Sequence, residues 1–167
     1  MSKKKLVLII FFIATIFLLL VFYRSYLHKK TENEYAIMPD LILANINGSN
    51  TNIKSHDGNW NNYRILNYFN PNCEHCENMA KILVANKTKI SASEIFMITN
   101  ADSITTKKFE NRTGITELNN VKILLDKQNL FLKHFNYPPV PSFFIYKNNI
   151  LIKKIFGEIK VENIILN

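Results

Sequence analysis

Two cysteines separated by two residues are the part of this sequence whose residue types and spacing most directly indicate chemistry. The chain has 2 cysteines in 167 residues, and they lie in the motif Cys73-Glu74-His75-Cys76. The first thiol of such a pair can attack a disulfide in another molecule, and the second can then resolve the mixed disulfide. The motif predicts thiol–disulfide exchange with Cys73 as the nucleophile and Cys76 as the resolving cysteine.

The residues around the pair predict a strand, a turn and a helix. Arg64–Phe69 is a nearly continuous apolar run typical of a buried strand, and the proline-containing turn Asn70–Asn72 ends it. A helix is predicted from about Cys73 to Asn86, because apolar side chains then recur at helical spacing. A thiolate at a helix N-terminus meets unpaired N–H groups and the positive end of the helix dipole, so its pKa falls. Cys76 follows one turn later on the same face.

The two residues between the cysteines are candidates for modulating this chemistry. His75 can add positive charge or a hydrogen bond to the thiolate. Glu74 places an anion nearby, while interacting favourably with the helix N-terminus. These effects oppose each other, and their sum stays open at the level of sequence.

Other roles for the cysteine pair have less support. A permanent disulfide across so short a loop contributes little entropy. Zinc usually takes four ligands, whereas His28, His56 and His134 are scattered along the chain. Haem attachment requires His directly after the second cysteine, where Glu77 stands. Two thiolates with His75 could hold copper(I), so a soft-metal carrier or a redox-inactive binding module is kept as the alternative function.

Residues 6–23 predict one transmembrane helix. This run of 18 residues carries no charge, and as a helix it would span about 27 Å, close to the thickness of a bilayer core. It is longer than a usual signal-peptide core, and no small-residue cleavage site follows, so an uncleaved anchor is favoured over a cleaved signal peptide. Residues 1–5 form a basic tail, and residues 24–38 are interpreted as a polar spacer.

The charges beside the anchor give conflicting indications of its orientation. Lysines at positions 3–5 favour a cytoplasmic N-terminus, whereas Arg24, Lys29 and Lys30 oppose it. We place the domain on the extracytoplasmic (periplasmic) side of the cell membrane, because a dithiol finds more disulfide partners there. A domain anchored inside the cell is the alternative.

The net charge of +8 belongs mainly to the N-terminal segment. Residues 1–30 contain 6 basic and no acidic side chains, which leaves 15 basic and 13 acidic side chains for residues 31–167. The folded part therefore has no basic stripe of the kind that a phosphate backbone requires. This distribution excludes nucleic acid as a predicted partner.

The remaining pattern predicts one α/β domain over residues 39–167. Strands alternate with helices, which implies a mostly parallel sheet covered on both faces. A hairpin with Asn47-Gly48 at its turn comes first, and a second hairpin comes late. The predicted segments are strands Leu41–Ala44, Thr51–Lys54, Ile95–Ile98, Val121–Leu125, Ser142–Tyr146 and Ile150–Phe156, and helices from Asp102 or Ser103 to Arg112 (closed by Gly114), Gln128–Phe135 and Val161–Leu166.

Together these motifs resemble the thioredoxin superfamily, specifically its membrane-anchored TlpA/ResA-like group. The resemblance covers most of residues 39–160 and rests on Pro39–Leu41, Ile65–Cys76, Val140–Ile145 and Gly157. It implies a thioredoxin-like fold, with a central mixed sheet flanked by helices and an N-terminal hairpin. It also implies a thiol–disulfide oxidoreductase whose only redox group is the Cys73–Cys76 disulfide. Its expected partners are extracytoplasmic protein thiols or disulfides, including those of apocytochromes, and a redox donor or acceptor protein.

The resemblance assigns roles to three further residues. It implies that Pro141 is cis and lies against the cysteine pair, and that Val140 beside it recognises substrate. Asn67 stands where many thioredoxins have a buried carboxylate, and an amide cannot take the proton of Cys76. Asn67 is therefore a modulating candidate or a hydrogen-bonded amide of the core.

The direction of electron flow stays open, because the Glu74-His75 dipeptide matches neither reducing nor oxidising relatives fully. Peroxide reduction is disfavoured, since Asn70 and Pro71 stand where a peroxidatic site has its Thr. Trp60 and nearby Phe side chains could form an apolar docking surface, although core packing is the commoner role for such residues.

Overall fold

The N-terminal apolar run forms one long helix. In the computed structural model, which describes residues 3–54 and 63–164, helix α1 spans Lys3–Tyr35, a length of about 50 Å. Its segment Leu8–Tyr26 has a mean hydropathy of 2.4 and is long and apolar enough to cross a membrane. The helix continues through most of the segment interpreted as a spacer. The chain divides into two compact units after Ala36.

The second unit, which begins at Ile37, contains a sheet and short helices. Its strands are β1 (Ile42–Asn45), β2 (Asn50–Asn52), β3 (Arg64–Tyr68), β4 (Glu94–Thr99), β5 (Val121–Leu125), β6 (Ser142–Lys147) and β7 (Ile150–Phe156). Its helices are α2 (Glu74–Ala85), α3 (Lys87–Ile90), α4 (Ser103–Thr113) and α5 (Leu130–His134), with 3-10 turns at Ile115–Glu117 and Val161–Asn163.

The strands form one mixed sheet in the order β2-β1-β5-β4-β3-β6-β7. Strand β4 pairs in parallel with β3 and β5. The other four pairings among the described strands are antiparallel. The expectation of a mostly parallel sheet is wrong, because both hairpins add antiparallel strands outside the three parallel ones. The mixed sheet that the family resemblance implies is confirmed.

Helices cover both faces of this sheet, as predicted. On one face, α2 and α4 pack against Ile65, Met97 and Phe143. On the opposite face, the rings of Phe131 and Phe135 from the α5 region pack against Phe144, with Phe135 and Phe144 centroids 4.1 Å apart. Burial on both faces explains why β3 is mostly apolar and is buried along its whole length, including its polar residues Arg64 and Asn67.

Two predicted helices are shorter in the structure. The helix predicted at Gln128–Phe135 begins only at Leu130, because Asn129 adopts a left-handed conformation (φ 56°), and Asn136 after it does the same (φ 52°). The final predicted helix is a 3-10 turn at Val161–Asn163. Residues 165–167, which would extend it, lie outside the described residues, as do His56 and Trp60.

Candidate active site

Helix α2 begins at the first cysteine because the preceding turn stops the strand and redirects the chain. The side chain of Asn70 accepts the N–H of Asn72 at 2.9 Å, and the carbonyl of Asn70 accepts the N–H of Cys73 at 3.0 Å. Cys73 is the N-cap residue with extended backbone angles (φ −96°, ψ 121°), and no side chain caps the helix. Its carbonyl accepts the N–H groups of Cys76 and Glu77 at 3.1 and 3.0 Å. The Cys73 side chain therefore lies at the end of the helix where backbone N–H groups lack helical partners.

The two thiols have different exposure, although they are one turn apart. Both are free thiols in the structure; Cys73 is partly exposed, whereas Cys76 is only 1% exposed. The pKa of Cys76 is raised to about 12, mainly by burial and to a lesser extent by the neighbouring Cys73 thiol, against a lowering by a hydrogen bond with the backbone at Asn70. Cys76 is therefore protonated at neutral pH, while Cys73 can be reached by another molecule.

The loop before β6 contains the one cis peptide bond of the described residues, between Val140 and Pro141. The cis proline implied by the family resemblance is thus confirmed. Pro141 is buried, and Val140 is half-buried against the same apolar core that contains Cys76 and contacts Cys73. A role of Val140 in substrate recognition stays a prediction.

Asn67 is a buried amide that links two strands of the sheet. Only 2% of it is exposed, and its Nδ2 donates to the carbonyl of Ser142 at 3.1 Å. Ser142 directly follows the cis proline, so this bond connects β3 to the start of β6 beside the loop. The geometry matches the hydrogen-bonded core amide considered from the sequence.

Both residues between the cysteines are exposed on the first turn of α2. Glu74 points to solvent, and 70% of the His75 side chain is exposed. The Nδ1 of His75 lies 2.5 Å from Oε1 of Glu158, which follows β7. Hydrogen bonds from His75, and to a lesser extent from Asn78, lower the pKa of Glu158. Sequence reasoning missed Glu158, and its only signal was its position next to Gly157, which the family pattern already included.

A groove of about 550 Å³ borders Cys73 on the side of α4. Arg112 of α4 donates through Nη2 to the carbonyl of Pro71 at 2.9 Å, and its Nε lies 3.0 Å from the carboxylate of Glu77. Lys81 contacts the same carboxylate at 2.8 Å, and both cations lower the pKa of Glu77, Lys81 more strongly. Arg112 therefore holds the turn before Cys73 against α4, a role that sequence analysis did not assign.

The described residues contain no group of three or more His, Cys, Asp or Glu side chains placed to hold a metal ion. His134 ends α5, on the opposite face of the sheet from the cysteine helix. The Phe side chains close to the pair, Phe69, Phe109 and Phe143, are fully buried. These three phenylalanines therefore pack in the core, and they do not form an exposed docking surface.

Comparison with protein-family models and with curated proteins gives no match. Solved structures do match this fold. A secreted Mycobacterium tuberculosis disulfide oxidoreductase homologous to E. coli DsbE is 17% identical, with a TM-score of 0.61 over 72% of this chain and 86% of that chain. A thioredoxin-like protein from Aeropyrum pernix is 14% identical, with a TM-score of 0.59 over 85% of this chain and 95% of that chain. Peroxiredoxin Q from Xanthomonas campestris is 12% identical, with a TM-score of 0.60 over 78% of this chain and 90% of that chain.

The fold of the second unit is therefore thioredoxin-like, as the sequence motifs predict. At these identities the likeness establishes the fold alone, and two of the three matched structures are named for different activities, as a disulfide oxidoreductase and a peroxiredoxin. The chemistry of this chain must be argued from its own residues.

Proposed function

We propose that this protein is a membrane-anchored thiol–disulfide oxidoreductase that exchanges disulfides with extracytoplasmic proteins. The observation that carries the proposal is the asymmetry of the cysteine pair. Cys73 is a partly exposed thiol at the N-terminus of α2, and Cys76 is a buried thiol one turn behind it. An accessible nucleophile with a protected resolving thiol is the arrangement that two-step disulfide exchange requires.

In the first step, the thiolate of Cys73 attacks one sulfur of a substrate disulfide. The substrate S–S bond breaks, a mixed disulfide between Cys73 and the substrate forms, and the other substrate sulfur leaves as a thiolate. The N–H groups at the start of α2 and the helix dipole stabilise the attacking thiolate.

In the second step, Cys76 loses its proton and attacks the Cys73 sulfur. The mixed disulfide breaks, the Cys73–Cys76 disulfide forms, and the second substrate thiolate leaves. The protein has then given two electrons to the substrate, and a dithiol donor protein must return them. With an oxidised pair and a dithiol substrate, the same steps run in reverse. The burial that holds Cys76 protonated keeps it from competing with Cys73 for external disulfides.

Two surfaces beside Cys73 offer contact to a substrate chain. One is the loop at Val140, and the other is the groove that Pro71, Lys81 and Arg112 help to line. Protein segments that carry a disulfide are large enough to contact both. We therefore favour protein substrates over small thiols.

Trapping the mixed disulfide tests the proposal directly. The full-length chain in detergent, reduced and then mixed with oxidised glutathione, is expected to accumulate a stable glutathione adduct at Cys73 when it carries Cys76→Ser. The matched variant Cys73→Ser keeps the buried thiol and is expected to give almost no adduct. Mass spectrometry of the intact chain distinguishes these results, and equal adduct levels in the two variants would refute the assignment.

The same preparations decide between the enzyme and a soft-metal carrier. A carrier is expected to bind one equivalent of copper(I) tightly and to exchange slowly with glutathione disulfide. An oxidoreductase is expected to reach redox equilibrium with glutathione within minutes. Slow exchange together with stoichiometric copper binding would replace the proposed activity with the alternative one.

A further inference from the structure

The segment that follows β7 contacts both structural parts that surround the cysteine pair. The N–H of Gly157 donates to the carbonyl of Pro141 at 2.8 Å, and Gly157 itself has a left-handed backbone (φ 87°), which glycine adopts readily. Two residues later, the N–H of Ile159 points at the sulfur of Met79 at 3.3 Å. The backbone on either side of Glu158 is thus fixed to the cis-proline loop and to helix α2.

This placement presents the carboxylate of Glu158 to the helix that carries the cysteines. Its Oε1 lies 2.5 Å from Nδ1 of His75 and accepts a longer bond of 3.4 Å from Nδ2 of Asn78. The side chains of His75 and Glu158 are 70% and 40% exposed, so burial does not force them together. The contact depends on the backbone placement and on the two side chains themselves.

The bond to Glu158 also determines what His75 can do. An ionised carboxylate only accepts hydrogen bonds, so Nδ1 of His75 must carry the proton that it donates. In the neutral imidazole, Nε2 is then the nitrogen with a free lone pair, and in the imidazolium it is a second donor. A carboxylate that orients a histidine in this way supports proton transfer and charge stabilisation at a group that the imidazole can reach, and His75 follows Cys73 by two residues at the start of α2.

A separate cluster of charged side chains, formed by Glu77, Lys81 and Arg112, lies near Cys73. On α2, Glu77 pairs with Lys81, and Arg112 from α4 contacts the same carboxylate. Glu74 is exposed on the first turn. Of the two titratable side chains between the cysteines, His75 is the one that contacts Glu158, which comes from a distant part of the chain.

We propose that Glu158 is a positioning residue, which holds His75 so that its Nε2 serves the thiol chemistry of Cys73. The inference builds on the proposed exchange activity and adds a residue to it. Glu158 acts through the imidazole and does not touch the reacting sulfurs.

The rate at which Cys73 is alkylated by iodoacetamide near pH 7 tests this inference without any disulfide exchange. The full-length chain in detergent carries Cys76→Ser, so only one thiol reacts. Glu158→Ala and His75→Ala are each expected to slow alkylation about threefold, the size expected for an exposed polar pair. Glu158→Gln keeps an oxygen that accepts from Nδ1, and it is expected to restore most of the rate.

The double variant separates a positioning role from a direct effect of charge. In the His75→Ala background, Glu158→Ala is expected to cause no further slowing. Glu162→Gln is the matched control, because it weakens an exposed 2.9 Å ion pair with Lys89 that lies away from the cysteines. The proposal is wrong if Glu158→Ala leaves the rate unchanged, if Glu158→Gln is as slow as Glu158→Ala, or if the slowing persists without His75.

Redox equilibration of chains with both cysteines distinguishes this inference from the proposed function. Glu158→Ala is expected to shift the equilibrium constant with glutathione by about the same factor as the alkylation rate, toward the disulfide form. If no Cys73–Cys76 disulfide forms in any variant, the proposed function fails, while the alkylation rates still report whether Glu158 positions His75.

Discussion

Cys76 is a thiol whose surroundings oppose its ionisation. It lies among the apolar side chains that pack between α2 and the sheet, and it is almost inaccessible to solvent. Burial raises its pKa to about 12, and its contact with Cys73 acts in the same direction. The resolving thiol must therefore lose its proton during exchange. Asn67 is an amide and cannot take this proton as a carboxylate would.

The raised pKa of Cys76 predicts how the stability of the reduced protein changes with pH. In the unfolded chain the thiol titrates near its ordinary value of about 8.5. Above that pH the unfolded state binds fewer protons than the folded state, so the free energy of unfolding falls as pH rises toward about 12. Urea unfolding of the reduced full-length chain between about pH 8 and 10.5 is expected to show this loss.

The pKa of Tyr68 is also raised to about 12, mainly by burial and then by Asp126 and Cys76. Tyr68 therefore contributes to the same pH dependence, and the variant Cys76→Ala is the control that separates the contribution of Cys76. The alanine variant is less stable at neutral pH but is expected to lose less stability with rising pH. An identical pH dependence in both proteins would show that Cys76 titrates normally in the folded state.

At the residue scale, sequence reasoning identified the groups that belong to a local motif and missed those brought in from afar. Cys73, Cys76 and His75 lie within four residues, so their proximity follows from a single helix turn. Glu158 lies 83 residues from His75, and only the completed sheet brings it to α2. Arg112 was predicted only as the last residue of a helix, and its bond to Pro71 depends on how two helices pack.

Helix α4 is an element whose boundaries follow from its own sequence. The side chain of Asp102 accepts the N–H of Thr105 at 2.8 Å at its start, and Gly114 ends it in the left-handed region (φ 68°). Both ends were predicted from these residue types. The helix carries Arg112, and so its correct termination contributes to the turn beside Cys73.

Replacing Gly114 tests this dependence on helix termination. Gly114→Ala places a Cβ in a backbone conformation that L-residues disfavour, with the nearest atom, Oε1 of Glu117, at 3.2 Å. The expected loss is about 1 kcal/mol in the free energy of unfolding. Gly114→Asn is expected to lose less, because asparagine adopts this conformation more readily. Equal losses from the two substitutions, measured by urea unfolding, would contradict a conformational cause.

Other elements show why local patterns fall short. Strand β5 occupies the predicted residues, a short run of Val, Ile and Leu interrupted by Lys122, which is typical of a buried strand. Helix α5 starts later than its pattern suggests because of the left-handed Asn129, and the carboxylate of Asp126 stabilises this start by accepting the N–H groups of Leu130, Phe131 and Leu132. This capping geometry could not be read from apolar spacing alone.

At the scale of the whole molecule, strand order is the property least accessible from sequence. The alternation of strands and helices indicated parallel pairing, and only β3, β4 and β5 obey it. Strand β6 enters antiparallel to β3, so Ser142 lies opposite Tyr68. This pairing places the cis-proline loop at the same end of the sheet as the turn before Cys73. The two halves of the candidate site are thus assembled by topology.

The proposed membrane anchor leads to a prediction about the compartment in which this site works. Helix α1 contains a segment able to span a membrane, Leu8–Tyr26, and lysines precede it while Arg24 and two further lysines follow its apolar core. Basic side chains are therefore equally numerous on the two sides of the apolar run, and they do not predict which end of the helix faces the cytoplasm. The proposed chemistry favours the extracytoplasmic side, because protein disulfides persist there and are reduced in the cytoplasm. We expect the domain to be exposed on the outer face of the membrane.

The native cysteines report this orientation, because both lie in the domain and Cys73 is the accessible one. Spheroplasts that express the chain are treated with a membrane-impermeant reductant and then with a membrane-impermeant maleimide. Labelling of Cys73 in intact spheroplasts, at the level seen after lysis, is the expected result, and Cys73→Ser supplies the background. Labelling that appears only after lysis would place the domain in the cytoplasm. A reducing cytoplasm would then supply dithiols in place of disulfides, and the proposed substrates would be unavailable to the pair.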